Sequence, residues 1–286
     1  MPFTRFLPWL LVALASAPPA VAEPGSRLWA TGGVTTIEGA AGGGLVPMAV
    51  LTGYASDREW GGSVALSHAP LDDYTVDVVA GALNWHNRIE ISAARQTLDL
   101  DTLGAALNQD DLQQDILGAK LRLTGDVLYS PYGQWSLGVQ YKHNRTFTVP
   151  DAVGARDVRG TDVYLAGTKV FLAGLFGRNV LVNGVVRGTK ANQGGLLGFG
   201  GDKNDSYDAV LEGSAGVFID RQWLVGTEYR QKPDNLGFAR EEDGYDLFVA
   251  WVPERHLAVT AAWVNLGSIA GLDDQQGAYL SLQGSF

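Results

Sequence analysis

The residues of this chain best placed to do chemistry are charged side chains at two-residue spacing. Lys120 and Arg122 lie in a stretch where Leu117, Ala119, Leu121 and Leu123 alternate with Gly118, Lys120, Arg122 and Thr124. On a strand, both cations leave from one face and the leucines from the other. The same alternation puts Lys142, Arg187, Glu90, Asp77, Asp208, Glu212, Glu228 and Arg230 on the polar faces of other stretches. So many charges on inward faces must be hydrated or paired. Hydrated, they form a charged lumen: a basic wall (Lys120, Arg122, Lys142, Arg187) faces acidic walls to either side, and the field between them selects among ions. Paired, they hold a narrow barrel shut.

Other chemistry has less support. The histidines are His68, His86, His143 and His256. A lipid-cleaving site needs serine, histidine and an amide or acid together. Asn144 follows His143, but no serine stands two residues on, and no nucleophile–base spacing is evident. Asp99, Asp101, Asp110, Asp111 and Asp115, and separately Glu241, Glu242 and Asp243, are oxygen donors of the kind that bind Ca²⁺ or Mg²⁺. They lack a fixed ligand spacing and read as solvated acidic loops. Gly42, Gly43 and Gly44 form no phosphate loop, because no Lys-Ser or Lys-Thr follows. No metal and no cofactor is expected. The formal charge of −10 makes nucleic acid a poor partner.

The elements that must carry the lumen charges are strands. After residue 60 the chain is a series of roughly ten-residue runs of period two. Their separators alternate between short (84–87, 130–133, 174–178, 220–222, 253–255) and long (about 100–113, 146–160, 190–205, 233–243, 267–275). Ten tilted residues cross a bilayer, and outer-membrane barrels have short periplasmic turns and long extracellular loops. Trp135, Trp223 and Trp251 fall beside short turns, and Tyr74, Tyr207, Tyr229 and Tyr245 beside long loops, as two interfacial belts would. No later stretch approaches the roughly 20 apolar residues of a membrane helix, so only a closed barrel satisfies a spanning backbone. The expected fold is all-β, a transmembrane antiparallel up-and-down barrel of about twelve strands over 59–286.

Residues 1–22 carry Arg5, an apolar core and a small-x-small site at Ala20–Ala22, the pattern of a secretory signal peptide. The chain contains no cysteine, so no disulfide is expected after export. Residues 23–58 are glycine-rich. They either lie in the lumen as a plug, with Glu38 and Gly42–Gly44 narrowing the pore, or form a first hairpin that raises the count to fourteen.

The last ten residues, GAYLSLQGSF, place Leu280, Leu282 and Phe286 on one parity. They resemble the closing strand of bacterial outer-membrane barrels, which commonly ends in phenylalanine and is read by the barrel-assembly machinery; Gly284 departs from that pattern. TGGVTTIEGAAGGGLVP at 31–47 and RIEISAARQTLDL at 88–100 resemble an uncharacterised family of Gram-negative outer-membrane proteins, a domain of unknown function. That resemblance implies a barrel in the outer membrane and no particular activity. The expected partners are outer-membrane lipid and lipopolysaccharide, the assembly machinery and periplasmic chaperones. The expected function is a passive, porin-like channel for small polar or charged solutes. The alternatives are a barrel-embedded lipid-modifying enzyme and a non-conducting structural or adhesive barrel.

Overall fold

The computed structural model describes residues 32–100 and 109–286. The signal peptide at 1–22, residues 23–31 and Asp101 lie outside these. Twelve antiparallel strands close into a barrel. They are β1 (Trp60–Pro70), β2 (Thr75–Trp85), β3 (Ile89–Asp99), β4 (Asp111–Thr124), β5 (Gln134–Asn144) and β6 (Arg159–Leu175). The second half comprises β7 (Arg178–Thr189), β8 (Asp208–Phe218), β9 (Trp223–Arg230), β10 (Gly244–Glu254), β11 (Leu257–Asn265) and β12 (Gln276–Ser285). Each strand pairs with its sequence neighbour, and β12 pairs with β1, from Leu280 opposite His68 to Ser285 opposite Ser63. Closure leaves no edge strand, the condition for a sheet to stand in lipid.

The outer face follows from the period of two. Leu117 on β4, Leu137, Val139 and Tyr141 on β5, Leu247 on β10, and Leu280 and Leu282 on β12 are exposed, while their i±1 neighbours are buried. In water such a surface would be a large aggregation liability; facing lipid it is the expected exterior. Trp135, Trp223 and Trp251 stand exposed at the short-turn end, joined there by Trp60 and Trp85. Trp223 stacks on Trp251 with centroids 5.5 Å apart. Tyr207, Tyr229 and Tyr245 mark the opposite end, where Tyr245 meets Trp263 edge-on at 5.7 Å. Phe286 closes the chain beside β1, exchanging 3.0 Å backbone hydrogen bonds with Gly62 in both directions.

β2 departs from the expected pattern. Tyr74 is not in the outer belt; it is buried, and its hydroxyl donates to the Ile269 carbonyl. Val76, Val78, Ala80 and Ala82 point inward with it. Asp77 therefore points outward and accepts from His68 Nδ1 at 2.7 Å. β2 is apolar on both faces, so hydropathy alone could not assign its parity. The loop joining β1 to β2 is also short, residues 71–74. β6 carries Asp162 on one parity and Lys169 on the other, and it turns Asp162 inward. Lys169 points outward and reaches to the Leu128 and Ser130 carbonyls at the short-turn end, keeping its ammonium out of the apolar band.

The interior is filled. Val34–Thr35 pairs with Ala41–Gly42 in a small hairpin, with Glu38 at its tip. Nearly every residue from Ala40 to Ala55 is buried. At the long-loop end, the loop 145–158 holds a one-turn helix α1 (Thr148–Ala152), and its Ala155–Asp157 pairs with Phe199–Gly201 of the loop 190–207. Residues 192–197 of the latter fold into the mouth, where Asn144 Nδ2 donates to the carbonyls of Gly195 (2.7 Å) and Leu196 (3.0 Å).

Candidate functional site

Five adjacent strands build the centre of the lumen, and their charges alternate in sign. Lys142 stands on β5, Asp162 on β6, Arg187 on β7, Glu212 on β8 and Arg230 on β9, all buried. Lys142 Nζ lies 2.7 Å from Asp162, and Arg187 lies 3.2 Å from Asp162 and 2.6 Å from Glu212. Arg230 Nε lies 3.4 Å from Glu212. This wall holds three cations and two anions. The missing anion comes from the hairpin: Glu38 bonds Lys142 at 2.5 Å, Arg187 at 3.1 Å and Arg230. Six charges thus sum to zero, and each has an opposite partner, as burial requires. Arg187 also lies over the Tyr164 ring, 5.2 Å from its centroid. The expected basic wall opposite acidic walls is thereby corrected. Opposite signs sit on neighbouring strands and pair there.

A second pair grips the hairpin's backbone. Lys120 on β4 and Glu90 on β3 lie 3.2 Å apart. Lys120 Nζ donates to the carbonyls of Ala41 (2.9 Å) and Val50 (2.8 Å). Glu90 accepts from the amides of Ala41 (3.1 Å) and Thr52 (2.7 Å). Across the barrel, Glu228 on β9 accepts from the Leu45 amide (2.7 Å) and the Ser214 hydroxyl (2.8 Å). These groups satisfy a buried segment that has little secondary structure of its own. The glycines fit the same need. A Cβ on Gly43 would lie 2.0 Å from Glu228 Oε1, so any larger residue must push this carboxylate off its hydrogen bonds to Leu45 and Ser214. On the wall, a Cβ on Gly138 would strike the Tyr164 ring at 2.1 Å. Apolar contacts complete the fit: Leu45 and Val46 pack with Tyr164 and Val185, and Met48 and Val50 with Leu181 and Phe248. Beside Glu38 and Arg230 remains a cavity of about 60 Å³, room for a few waters.

Besides Asp77, two expected lumen charges lie elsewhere. Arg122 is at the short-turn end, where Nε (3.0 Å) and Nη2 (2.5 Å) donate to the Gly125 carbonyl. Asp208 is at the long-loop rim, accepting from Asn204 Nδ2 at 3.0 Å. Sequence reasoning missed Asp162 and Asp246, both buried and inward. The inward series Asp162, Tyr164, Ala166 and Thr168 carried the signal for the first. Above the network, Glu241 and Lys232 of the loop 231–243 meet at 3.4 Å. Burial raises the Glu241 carboxyl above its ordinary range and lowers the Lys232 ammonium below its own, each opposed by the other's charge. His143 faces outward between Asp115 and Arg159 in the strand register and has no side-chain hydrogen bond among the described residues.

A closed twelve-stranded barrel with an apolar exterior, two aromatic girdles and a polar interior defines an outer-membrane β-barrel. The chain belongs to the family described as "Protein of unknown function (DUF3034)", whose model matches residues 31–283. A comparison with curated proteins found no match. Among solved structures, the chain is similar to the KdgM porin in complex with disordered oligogalacturonate (TM-score 0.50, 11% identity, 78% of this chain and 99% of that one). It is also similar to the Acinetobacter baumannii outer membrane protein Omp33 (TM-score 0.48, 13% identity, 81% and 100%). A third is outer membrane phospholipase A from Escherichia coli (TM-score 0.38, 10% identity, 83% and 94%). At these identities the likeness is one of fold.

Proposed function

We propose that this protein is a channel of the Gram-negative outer membrane, closed by its own N-terminal segment and passing small polar or charged solutes when that segment withdraws. In this reading residues 1–22 direct export, the short turns lie in the periplasm and the long loops outside. The observation that carries the reading is Glu38. The anion that neutralises the central wall sits on a removable hairpin rather than on a strand. Withdrawal leaves Lys142, Asp162, Arg187, Glu212 and Arg230 facing water on one wall with one net positive charge, beside the acids Glu228 and Asp246 on β9 and β10. Charges of both signs on a lumen wall filter the ions that pass. The polar grip of Lys120, Glu90 and Glu228 on the hairpin's backbone can be exchanged for water, so opening need not strand a buried charge.

A second reading is a non-conducting structural barrel, favoured by the apolar packing of Leu45, Val46, Met48 and Val50 against the wall. The lipid-modifying enzyme has no comparable support, since the register places no nucleophile opposite His143.

Planar-bilayer recording decides between the two. The channel reading expects rare openings from the intact barrel and steady conductance after deletion of residues 32–54. A deleted barrel that inserts, shows heat-modifiable migration and still passes no ions overturns it.

A further inference from the structure

The outer surface carries a second charged assembly that the lumen does not use. In the strand register, Arg95 on β3 lies opposite Asp115 on β4, Asp115 opposite His143 on β5, and His143 opposite Arg159 on β6. All four are on outward parity, and the row is extended by Arg145, just past β5. Arg95 donates to Asp115 through Nε (2.7 Å) and Nη2 (3.3 Å), and Arg145 Nη1 donates to the same carboxylate at 2.9 Å. Asp115 thus holds two guanidinium groups side by side, each with N–H donors to spare. Arg159 is exposed and has no side-chain partner among the described residues. Three arginines against one aspartate give the row a charge of +2 before His143 is counted. Asp77, paired with His68, lies beyond it on β2.

The row sits at a particular height. One pleat nearer the short-turn end lie Ala93, Leu117, Tyr141 and Thr161, the edge of the apolar band. The distance from Trp135 in the opposite girdle to His143, at about 3.4 Å per residue and a tilt near 40°, spans roughly 21 Å of bilayer. An outer-membrane barrel presents an apolar band of about 25 Å, so the row stands at the outer edge of that band, from which long arginine side chains reach the headgroups. It is also confined to one sector. On β8 to β11 the same rim carries Tyr207, Tyr229, Tyr245 and Trp263, with no outward basic strand residue. A generic interface would not gather its arginines on four neighbouring strands.

We propose that this sector binds the bis-phosphorylated headgroup of the glycolipid in the outer leaflet. One phosphate is held by the Arg95–Arg145 pair and the other by Arg159. Three strand spacings separate Arg95 from Arg159, roughly 14 Å, which suits two phosphates on one headgroup better than the single phosphate of a phospholipid. Guanidinium forks are the side chains best shaped for phosphate oxygens. Tyr141 and Leu117, directly beneath, receive the acyl chains. The proposal rests on the membrane placement above but is independent of whether the lumen conducts.

The test is lipid retention by the purified barrel in detergent, read by native mass spectrometry. The probes are bis-phosphorylated lipid A, its monophosphorylated form and phosphatidylglycerol. The wild type is expected to retain lipid A about tenfold better than either of the others. Arg159→Glu alone, whose side chain supports no other residue described, should erase the preference for two phosphates. Arg95→Gln with Arg145→Gln should weaken retention of all phosphorylated lipids. Equal retention of the three probes by wild type, or lipid A retained by Arg159→Glu as by wild type, overturns the proposal. Heat-modifiable migration of the same samples separates this from a failure of placement: a chain that never folds in micelles refutes the membrane reading itself.

Discussion

Replacing Glu38 by glutamine leaves the hairpin's shape intact and removes the one negative charge that faces Lys142, Arg187 and Arg230 together. The wall then holds three cations against Asp162 and Glu212 with the hairpin in place. Breaking a buried ion pair costs about 3–5 kcal/mol. The two remaining carboxylates still serve all three cations, which favours the lower end, about 3 kcal/mol. With the hairpin withdrawn and the lumen hydrated, the substitution costs little. The difference therefore falls on the closed conformation, and 3 kcal/mol shifts a closed–open equilibrium roughly 100-fold. Single-channel recording at low salt should show open probability rising by about that factor. Adding Arg230→Gln should recover part of the loss, with a coupling of about 1 kcal/mol or more in a double-mutant cycle. A correctly folded Glu38→Gln barrel with unchanged open probability and no coupling to Arg230 would refute the reasoning, and the network would then be structural alone.

Three further outcomes follow from the same geometry. Gly43→Val places carbon against Glu228, so the hairpin must shift; a destabilisation of about 1–3 kcal/mol is expected in urea unfolding from micelles, and Gly184→Ala, where a Cβ meets nothing within 4 Å, is the contrasting substitution. In the plug-deleted barrel, Lys142→Glu with Arg187→Glu should shift the preference toward cations, most clearly at low ionic strength, where charges are screened least, as read by reversal potential. Outside the membrane, burial works against the Lys190 charge, but hydrogen bonds to Asp157 (2.7 Å) and Asp205 (2.9 Å) outweigh it and hold the ammonium above its ordinary pKa. A raised folded value means that this clamp stabilises the loop 190–207 at neutral pH and is lost as pH rises through that value. Limited proteolysis of the loop should therefore accelerate at strongly alkaline pH, and Lys190→Met should abolish that step.

Period-two alternation with alternating short and long separators was enough to read a twelve-stranded barrel from the chain, because a strand's in–out parity is local. Side chains two apart share a face whatever the rest of the molecule does. That is why Lys120, Lys142, Arg187, Glu90, Glu212, Glu228 and Arg230 could be placed inside from sequence, and why Trp135, Trp223, Trp251, Tyr207, Tyr229 and Tyr245 could be placed outside. Parity failed where both faces are apolar. Tyr74 and, on β2, Val76 and Val78 face inward because Ile37 of the hairpin and Ile269 of a long loop fill that part of the mouth, and no period records a neighbour roughly two hundred residues away. Which charge meets which was equally out of reach. It depends on strand register, where a slip of one residue reverses every face, and on a segment with no period at all. Glu38 lies in a glycine-rich stretch that reads as loop. Only closure of the barrel around that stretch brings its carboxylate among three cations from strands more than a hundred residues further along the chain, where burial leaves it no other partner.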